Sequence, residues 1–269
     1  GYSAMKEKER VVFFLRDGLS AAEKERMAAY GADMNKYLDS GNEARIKKAY
    51  ESRDPRLQMA VITPYAQYNG ASSGIAHTYT LRWPYRGSDS AEPFDIRTDT
   101  NDKFYYLWRK FVPEGLEQTE RDTYGLDIPL IRYAEVLLLK AEALNEWGST
   151  HESEAIRCVN EVRRRAGHVE LNNATYPATK VNGQSDLRER IRNEYYWEIG
   201  GEDSMYFHEL RWGTWKDKKF DNNRNGLMQM WGETTYTWYW LGDQCWSWPI
   251  PAKEMEMNSN LEQNEGWIN

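Results

Sequence analysis

Apolar and polar positions alternate along the chain in a few strongly periodic segments, separated by long stretches with no period. The clearest period runs through Leu130, Ala134, Leu137, Leu138, Ala141 and Leu144, with Pro129 in the first turn and Gly148 after the last. That spacing predicts one face of an amphipathic helix, with Arg132, Glu135, Lys140 and Glu142 on the other face. A second helix is predicted from the Ser149-x-x-Glu152 capping box through Ala155, Ile156, Val159, Val162 and Ala166 to Gly167. Two helices joined by so short a turn form an antiparallel pair. A third helical pattern opens at Asp186-x-x-Glu189 and runs to Ile199, where Gly200-Gly201 predicts a break or kink before a further stretch to Trp212.

Elsewhere the pattern is weaker. Residues 2–50 are charged and helix-forming, with a Ser20/Glu23 capping box and with Gly18, Gly31 and Gly41 as breaks, and predict two or three short helices. Asp54-Pro55-Arg56 ends them, because a residue before proline is pushed out of the helical region. Leu57 to Ile62 and Phe104 to Val112 read as strands, with residues 63–100 between them a long loop of Gly, Ser, Pro, Asp and aromatic residues. Residues 172–184 and 216–224 read as connections, and 249–269 as extended chain lying over the body.

Composition narrows the function classes. Over 269 residues, 35 Lys and Arg against 42 Asp and Glu leave a net charge of −7, and there is no basic block. Nucleic acid is therefore not an expected partner, since neutralising phosphate supplies most of that affinity. The longest apolar run, Val136 to Leu139, is far short of the length needed to cross a bilayer. Cys158 falls inside a helical pattern, where a buried thiol is expected, and two distant cysteines with four scattered histidines match no metal spacing, so neither metal nor cofactor is expected. The surplus is aromatic: 12 Trp and 18 Tyr against 7 Phe, rings that combine a flat face with a polar handle. No secretory leader is visible at Gly1-Tyr2-Ser3.

The helix pair over about 129–167 resembles a tetratricopeptide unit, with Ala141, Leu144, Gly148 and Glu154-Ala155-Ile156 in the familiar order and a slightly longer turn. One such unit cannot bury its own apolar faces, and no second copy is found in the sequence. Three segments then carry a more specific likeness. They are Ile131-Arg132-Tyr133-Ala134-Glu135-Val136-Leu137-Leu138 continuing through Ala141-Glu142-Ala143-Leu144-Asn145 to Asn160 and Arg163; Leu187, Ile191-Arg192-Asn193-Glu194, Glu198-Ile199, Gly201-Glu202 and Leu210-Arg211-Trp212; and Trp248-Pro249-Ile250-Pro251 with Gln263-Asn264 and Gly266-Trp267. With the weaker Asp54-Pro55-Arg56-Leu57, their order resembles the C-terminal half of the RagB/SusD family, the surface glycan-binding lipoproteins of Bacteroidetes. The departures are local, Glu194-Tyr195 and Gly201-Glu202-Asp203 among them.

The resemblance implies a mainly α fold, a single SusD-like C-terminal domain over residues 1–269, with earlier repeats and a lipidation signal lying in polypeptide not included here. A naturally short relative is the other reading. It also implies non-catalytic capture of oligosaccharide or another nutrient at the outer membrane, on the cell surface, and delivery to a TonB-dependent SusC-like transporter. The membrane would be reached only through a lipid anchor.

Sugar recognition needs flat apolar faces and hydrogen-bonding groups at their rim, and residues 65–89 offer both. Trp83, Tyr85, Arg86, Tyr68 and Asp89 are the candidate carbohydrate-binding residues, and no catalytic residue is assigned. Two alternatives stay open. The protein could be an interaction module of the transporter complex that never meets a sugar. It could also be a glycoside hydrolase, whose paired carboxylates about 5 to 9 Å apart would come from Glu194, Glu198 and Glu202. The bland reading of these glutamates is ordinary ion pairing with Arg190 and Arg192. Arg163-Arg164-Arg165 reads as a solvated helix end, favourable to the dipole, and Trp246 and Trp248 as packing residues.

Overall fold

The computed structural model describes residues 36, 38–51, 53–63, 65–72, 74–81, 94, 107–115, 125, 127–202, 204–219 and 240–267. Two compact units are distinguished, residues 1–205 with 228–233 and residues 206–227 with 234–269. In the first, the described residues form a π-helical turn (Leu38–Asn42), then α1 (Glu43–Glu51) and α2 (Pro55–Ala60). A strand was expected where α2 stands. Asp54 keeps a non-helical backbone, as a residue before proline must, but its carboxylate accepts from Arg56 N at 2.9 Å and Pro55 takes the first helical position, so the dipeptide starts a helix. Only β1 (Val61–Ile62) remains of that strand.

The region read as loop contains a hairpin, β2 (Gln67–Ser72) and β3 (Ile75–Thr80), in antiparallel register with Tyr68 opposite Tyr79 and Gly70 opposite His77. Asn69 and Gly70 hide it from a propensity reading. A Cβ on Gly70 would stand 2.8 Å from the Tyr79 ring and 3.3 Å from that of Tyr68, so glycine lets both rings cover the strand. β4 (Leu107–Trp108) is shorter than the strand expected from 104 to 112 and pairs antiparallel with β1, Val61 opposite Trp108. Residues 104–106 lie outside the described set, and Lys110 and Phe111 already form a turn.

Among the described residues three long helices make the core: α3 (Tyr133–Trp147), α4 (Glu152–Arg165) and α5 (Gln184–Ile199). They bear out the mainly α expectation with its tetratricopeptide-type pair and further long helix. Leu138, Ala141, Ala155, Val159, Leu187, Tyr195 and Ile199 are wholly enclosed. Each large one of these contributes about 1.5–3 kcal/mol of burial. The details at the helix ends differ from expectation. α3 starts four residues after Pro129, with an extended Arg132 as its N-cap, and Leu130 is exposed. The Ser149/Glu152 capping box is replaced by a 3₁₀ turn, Ser149–His151, without a side-chain cap.

Side-chain amides fasten the helices. Asn145 Nδ2 donates to Gln184 O while Gln184 Nε2 donates to Asn145 O, and Asn160 accepts from Leu171 N at 2.7 Å and donates back to Leu171 O. Asn160 stands in for a strand partner of Leu171 by meeting both its backbone groups, and Gln184 meets the Asn145 carbonyl in the open last turn of α3.

The expected break after Ile199 is present. Gly201 has φ +84°, and a Cβ there would lie 2.7 Å from the Trp108 ring. Gly201→Ala is therefore expected to lower stability by about 1–3 kcal/mol, read from urea unfolding with an unchanged m-value; a shift below about 0.5 kcal/mol would refute the requirement.

In the second unit, α6 (Ser204–Arg211) continues across the boundary, followed by α7 (Trp215–Lys219), a 3₁₀ turn (Asp243–Trp246) and α8 (Ala252–Met257). Helices thus stand where loop and extended chain were expected. Gln263 clamps the Pro249-Ile250-Pro251 segment, its amide accepting from Ile250 N at 2.7 Å and donating to Ile250 O at 2.9 Å. Asn264 Nδ2 donates to Trp248 O, and Trp267 Nε1 to Ser247 O. Trp246 rests 5.0 Å from Trp240 between ring centroids, as a packing residue. Trp248 differs: its indole donates to Tyr206 Oη at 3.0 Å, yet it is 70% exposed.

Candidate functional site

The glutamates spaced by four on α5 meet along one buried face, and their partners come from far away in the chain. Glu194 is wholly enclosed between Arg163, at 2.8 Å, and Arg56, at 2.8 Å. Glu198 accepts from Arg132 at 2.9 Å and Arg56 at 3.1 Å, with Arg165 closing its outer side. Beyond the break, Glu202 is held by Arg132 and by the Lys110 ammonium. Arg190 and Arg192, the expected partners, pair instead with Asp186 and Glu189. Arg163 is no solvated helix end, because it lies fully buried against Glu194. Trp197 caps the cluster, its ring centroid 5.5 Å from the Arg163 guanidinium and 5.9 Å from that of Arg56.

These contacts set the protonation. Burial alone would raise the Glu194 carboxyl, but Arg163 and Arg56 outweigh it and hold it below the usual carboxylate range. Glu202 is treated the same way by Arg132 and Lys110, and Asp54 by Arg56. A glycosidic general acid requires the opposite shift. The α5 carboxylates are thus arranged to cross-link α2, the α3 start, α4 and α5.

Of the predicted sugar-binding residues, Trp83, Tyr85, Arg86 and Asp89 lie outside the described residues. Tyr68 stands on β2, its hydroxyl donating to Pro113 O at 3.0 Å, and burial followed by the Glu114 charge pushes its phenol up. On the same hairpin Tyr79 and His77 gather against Phe94, with ring centroids 5.5 and 4.2 Å away, and Thr80 N donates to Phe94 O.

Beside this hairpin lies a cleft of about 430 Å³ bordered by Lys47, Tyr50, Gln58, Tyr65, Gln67 and Arg109. Tyr65 and Gln67 belong to the aromatic and polar segment singled out from the sequence; the contributions of α1 and Arg109 were not anticipated. Tyr65 has φ +66°, a left-handed conformation costing roughly 1–2 kcal/mol in a residue with a Cβ. It is fixed by donation of its N–H to Leu81 O at 2.7 Å and by Ala66 N to Thr63 O at 2.9 Å. Arg109 is anchored by backbone donation to Ala60 O and by guanidinium donation to the carbonyls of Gln58 and Gln67, and it pairs with Glu114 at 2.8 Å. The next residue, Lys110, donates to the carbonyls of Glu198 and Gly200, tying the cleft wall to the end of α5.

Among the described residues no three His, Cys, Asp or Glu side chains converge as metal ligands, and no helix is long and apolar enough to cross a membrane. Cys158 is buried and Cys245 half-buried, both as free thiols.

Comparison with known proteins gives a consistent family. The Starch-binding protein SusD of Bacteroides thetaiotaomicron is 28% identical over 161 residues, 60% of this chain and 25% of its own length. A SusD-like protein of Formosa agariphila is 32% identical over 139 residues, 51% of this chain and 24% of its own. Among solved structures, a SusD-like protein of Bacteroides fragilis superposes with TM-score 0.56 at 21% identity, covering 82% of this chain and 40% of that one. The chain thus spans well under half the length of these relatives. The SusD family model matches residues 15–267, almost the whole sequence, and the chain belongs to that family.

Proposed function

We propose that the chain is the C-terminal portion of a non-catalytic glycan-capture protein. It holds oligosaccharide at the outer cell surface, on a lipid-anchored polypeptide, and passes it to a TonB-dependent SusC-like transporter. The observation that carries this reading is the SusD family match over residues 15–267, one of whose relatives is named as a starch-binding protein. The ion-paired state of Glu194, Glu198 and Glu202 supports capture over hydrolysis, because each carboxylate already serves the fold.

Capture would use rings for the C–H faces of pyranoses and polar side chains for their hydroxyls, with Trp83, Tyr85, Arg86, Tyr68 and Asp89 as the candidate contacts. Isothermal titration with a panel of oligosaccharides should give saturable heat that weakens about ten-fold in Trp83→Ala, the loss of one stacking platform. Unchanged affinity in both Trp83→Ala and Tyr85→Ala would remove these rings from the site.

A second reading, a protein-docking module of the transporter complex, draws on the outward face of α3. Tyr133, Val136, Leu139 and Trp147 are all exposed there, opposite the core. A folded protein that binds the transporter but gives no heat with any glycan would favour it.

A further inference from the structure

We propose that the cleft framed by Tyr65, Gln58, Gln67, Lys47 and Arg109 is a saccharide subsite of its own, taking a short, uncharged sugar segment beside the hairpin. The inference rests on the glycan-capture reading and assigns to it a place and a ligand class.

At about 430 Å³ the cleft falls in the lower part of the roughly 300–1,000 Å³ range of small-ligand sites, room for a sugar unit or two rather than a long chain. Its walls are rigid where a site needs rigidity. Tyr65 is locked in a left-handed conformation by the Leu81 hydrogen bond, and a backbone outlier held in place by its surroundings is a feature of binding sites more than of loops in general. Arg109 spends its guanidinium on two backbone carbonyls and Glu114, so it shapes the wall instead of waiting for a ligand. The side-chain amides of Gln58 and Gln67 are exposed and make no hydrogen bond among the described residues. Each offers both a donor and an acceptor, the complement of a sugar hydroxyl pair. Tyr65 supplies a ring face beside the Lys47 ammonium, which lies 5.2 Å from its centroid.

Charge decides the ligand class. Both cations of the cleft are already matched, Arg109 by Glu114 at 2.8 Å and Lys47 by Glu43 at 3.3 Å, with the Lys47 ammonium also 5.2 Å from the Tyr65 ring centroid. No uncompensated positive charge is left to select a carboxylated or sulfated sugar. In a chain of net charge −7 such a ligand would also be repelled at long range. Neutral hexose or pentose units fit the cleft.

The test is a titration of the 269-residue chain with neutral trisaccharides (maltotriose, cellotriose, xylotriose and mannotriose) and with a galacturonic acid trimer. Three variants accompany it: Tyr65→Gly, Tyr65→Phe and Trp83→Ala. Tyr65→Gly removes the ring but suits the backbone conformation, so its melting temperature should match or exceed that of the parent. The proposal expects binding of at least one neutral trisaccharide, weakened about ten-fold in Tyr65→Gly and retained in Tyr65→Phe. Parent-like affinity in Tyr65→Gly combined with loss in Trp83→Ala overturns the cleft assignment and leaves glycan capture standing. Preference for the galacturonic acid trimer overturns the neutral class. Absence of binding to every trisaccharide overturns the capture reading along with the subsite.

Discussion

Replacing Glu194 by alanine should destabilise the protein by about 3–5 kcal/mol, the usual cost of leaving a buried charge without its partner. Arg163 and Glu194 are both fully enclosed, at 2.8 Å, and Arg56 depends on the same carboxylate. Alanine at 194 leaves two guanidinium groups facing an apolar space with one counter-charge fewer. Their shared cap, Trp197, offers only its ring face in return. The loss should appear in urea unfolding as a lower midpoint with little change in slope. The double replacement Arg163→Met with Glu194→Leu should recover much of it, since apolar residues of similar volume can fill such a site at small cost. A single-variant effect under about 1 kcal/mol would show that the pair is dispensable.

Acid should undo the same cluster. Asp54, Glu194 and Glu202 are all held below the ordinary carboxylate range in the folded protein: burial opposes this in each case, and the neighbouring Arg56, Arg163, Arg132 and Lys110 prevail. A carboxylate whose folded value is depressed adds stability above its unfolded value, near pH 4, and that stability drains away as pH falls toward the folded value. His168 adds an earlier, smaller decline. Burial and then Arg163 keep its imidazole from charging despite Asp54 at 3.3 Å, so the unfolded chain takes up the proton first as pH drops below about 6.5. Urea midpoints should be flat from about pH 8 to 7, sag slightly toward 5 and fall steeply below about 4.5. Glu194→Gln should flatten part of that steep limb. A parent curve level down to about pH 3 would contradict the electrostatic origin of this stability.

The helical core was legible because helices announce themselves locally. Leu137, Leu138, Ala141 and Leu144 repeat at the helical period, and Gly148 and Gly201 mark real ends. The ties between the helices were not legible. Arg163 reads as one of three basic residues at a helix end, where the dipole gives them a sufficient local reason. Its partner is 31 positions away and has no local signature. The glutamates of α5 were visible as a stripe, but the stripe has meaning only beside Arg56 and Arg132, on elements the sequence places nowhere in space.

Local rules also misled where one residue carries two signals. Asp54-Pro55 reads in sequence as the end of the preceding helix, yet Asp54 caps α2 and Pro55 takes its first position. Asn69 and Gly70 speak against a strand that cross-strand tyrosines nevertheless secure. The aromatic segment between residues 65 and 89 was recognisable in the sequence as a candidate for sugar contact. The cleft was not, because Tyr65 owes its position to a backbone conformation that no side-chain pattern encodes.

Equilibrium dialysis of the folded chain against mixed oligosaccharides, with the retained sugar analysed by mass, tests the central claim most directly. Capture without catalysis predicts that sugar is retained on the protein side and recovered uncut. Failure to retain any sugar, or recovery of shortened products that depend on Glu198, would contradict it.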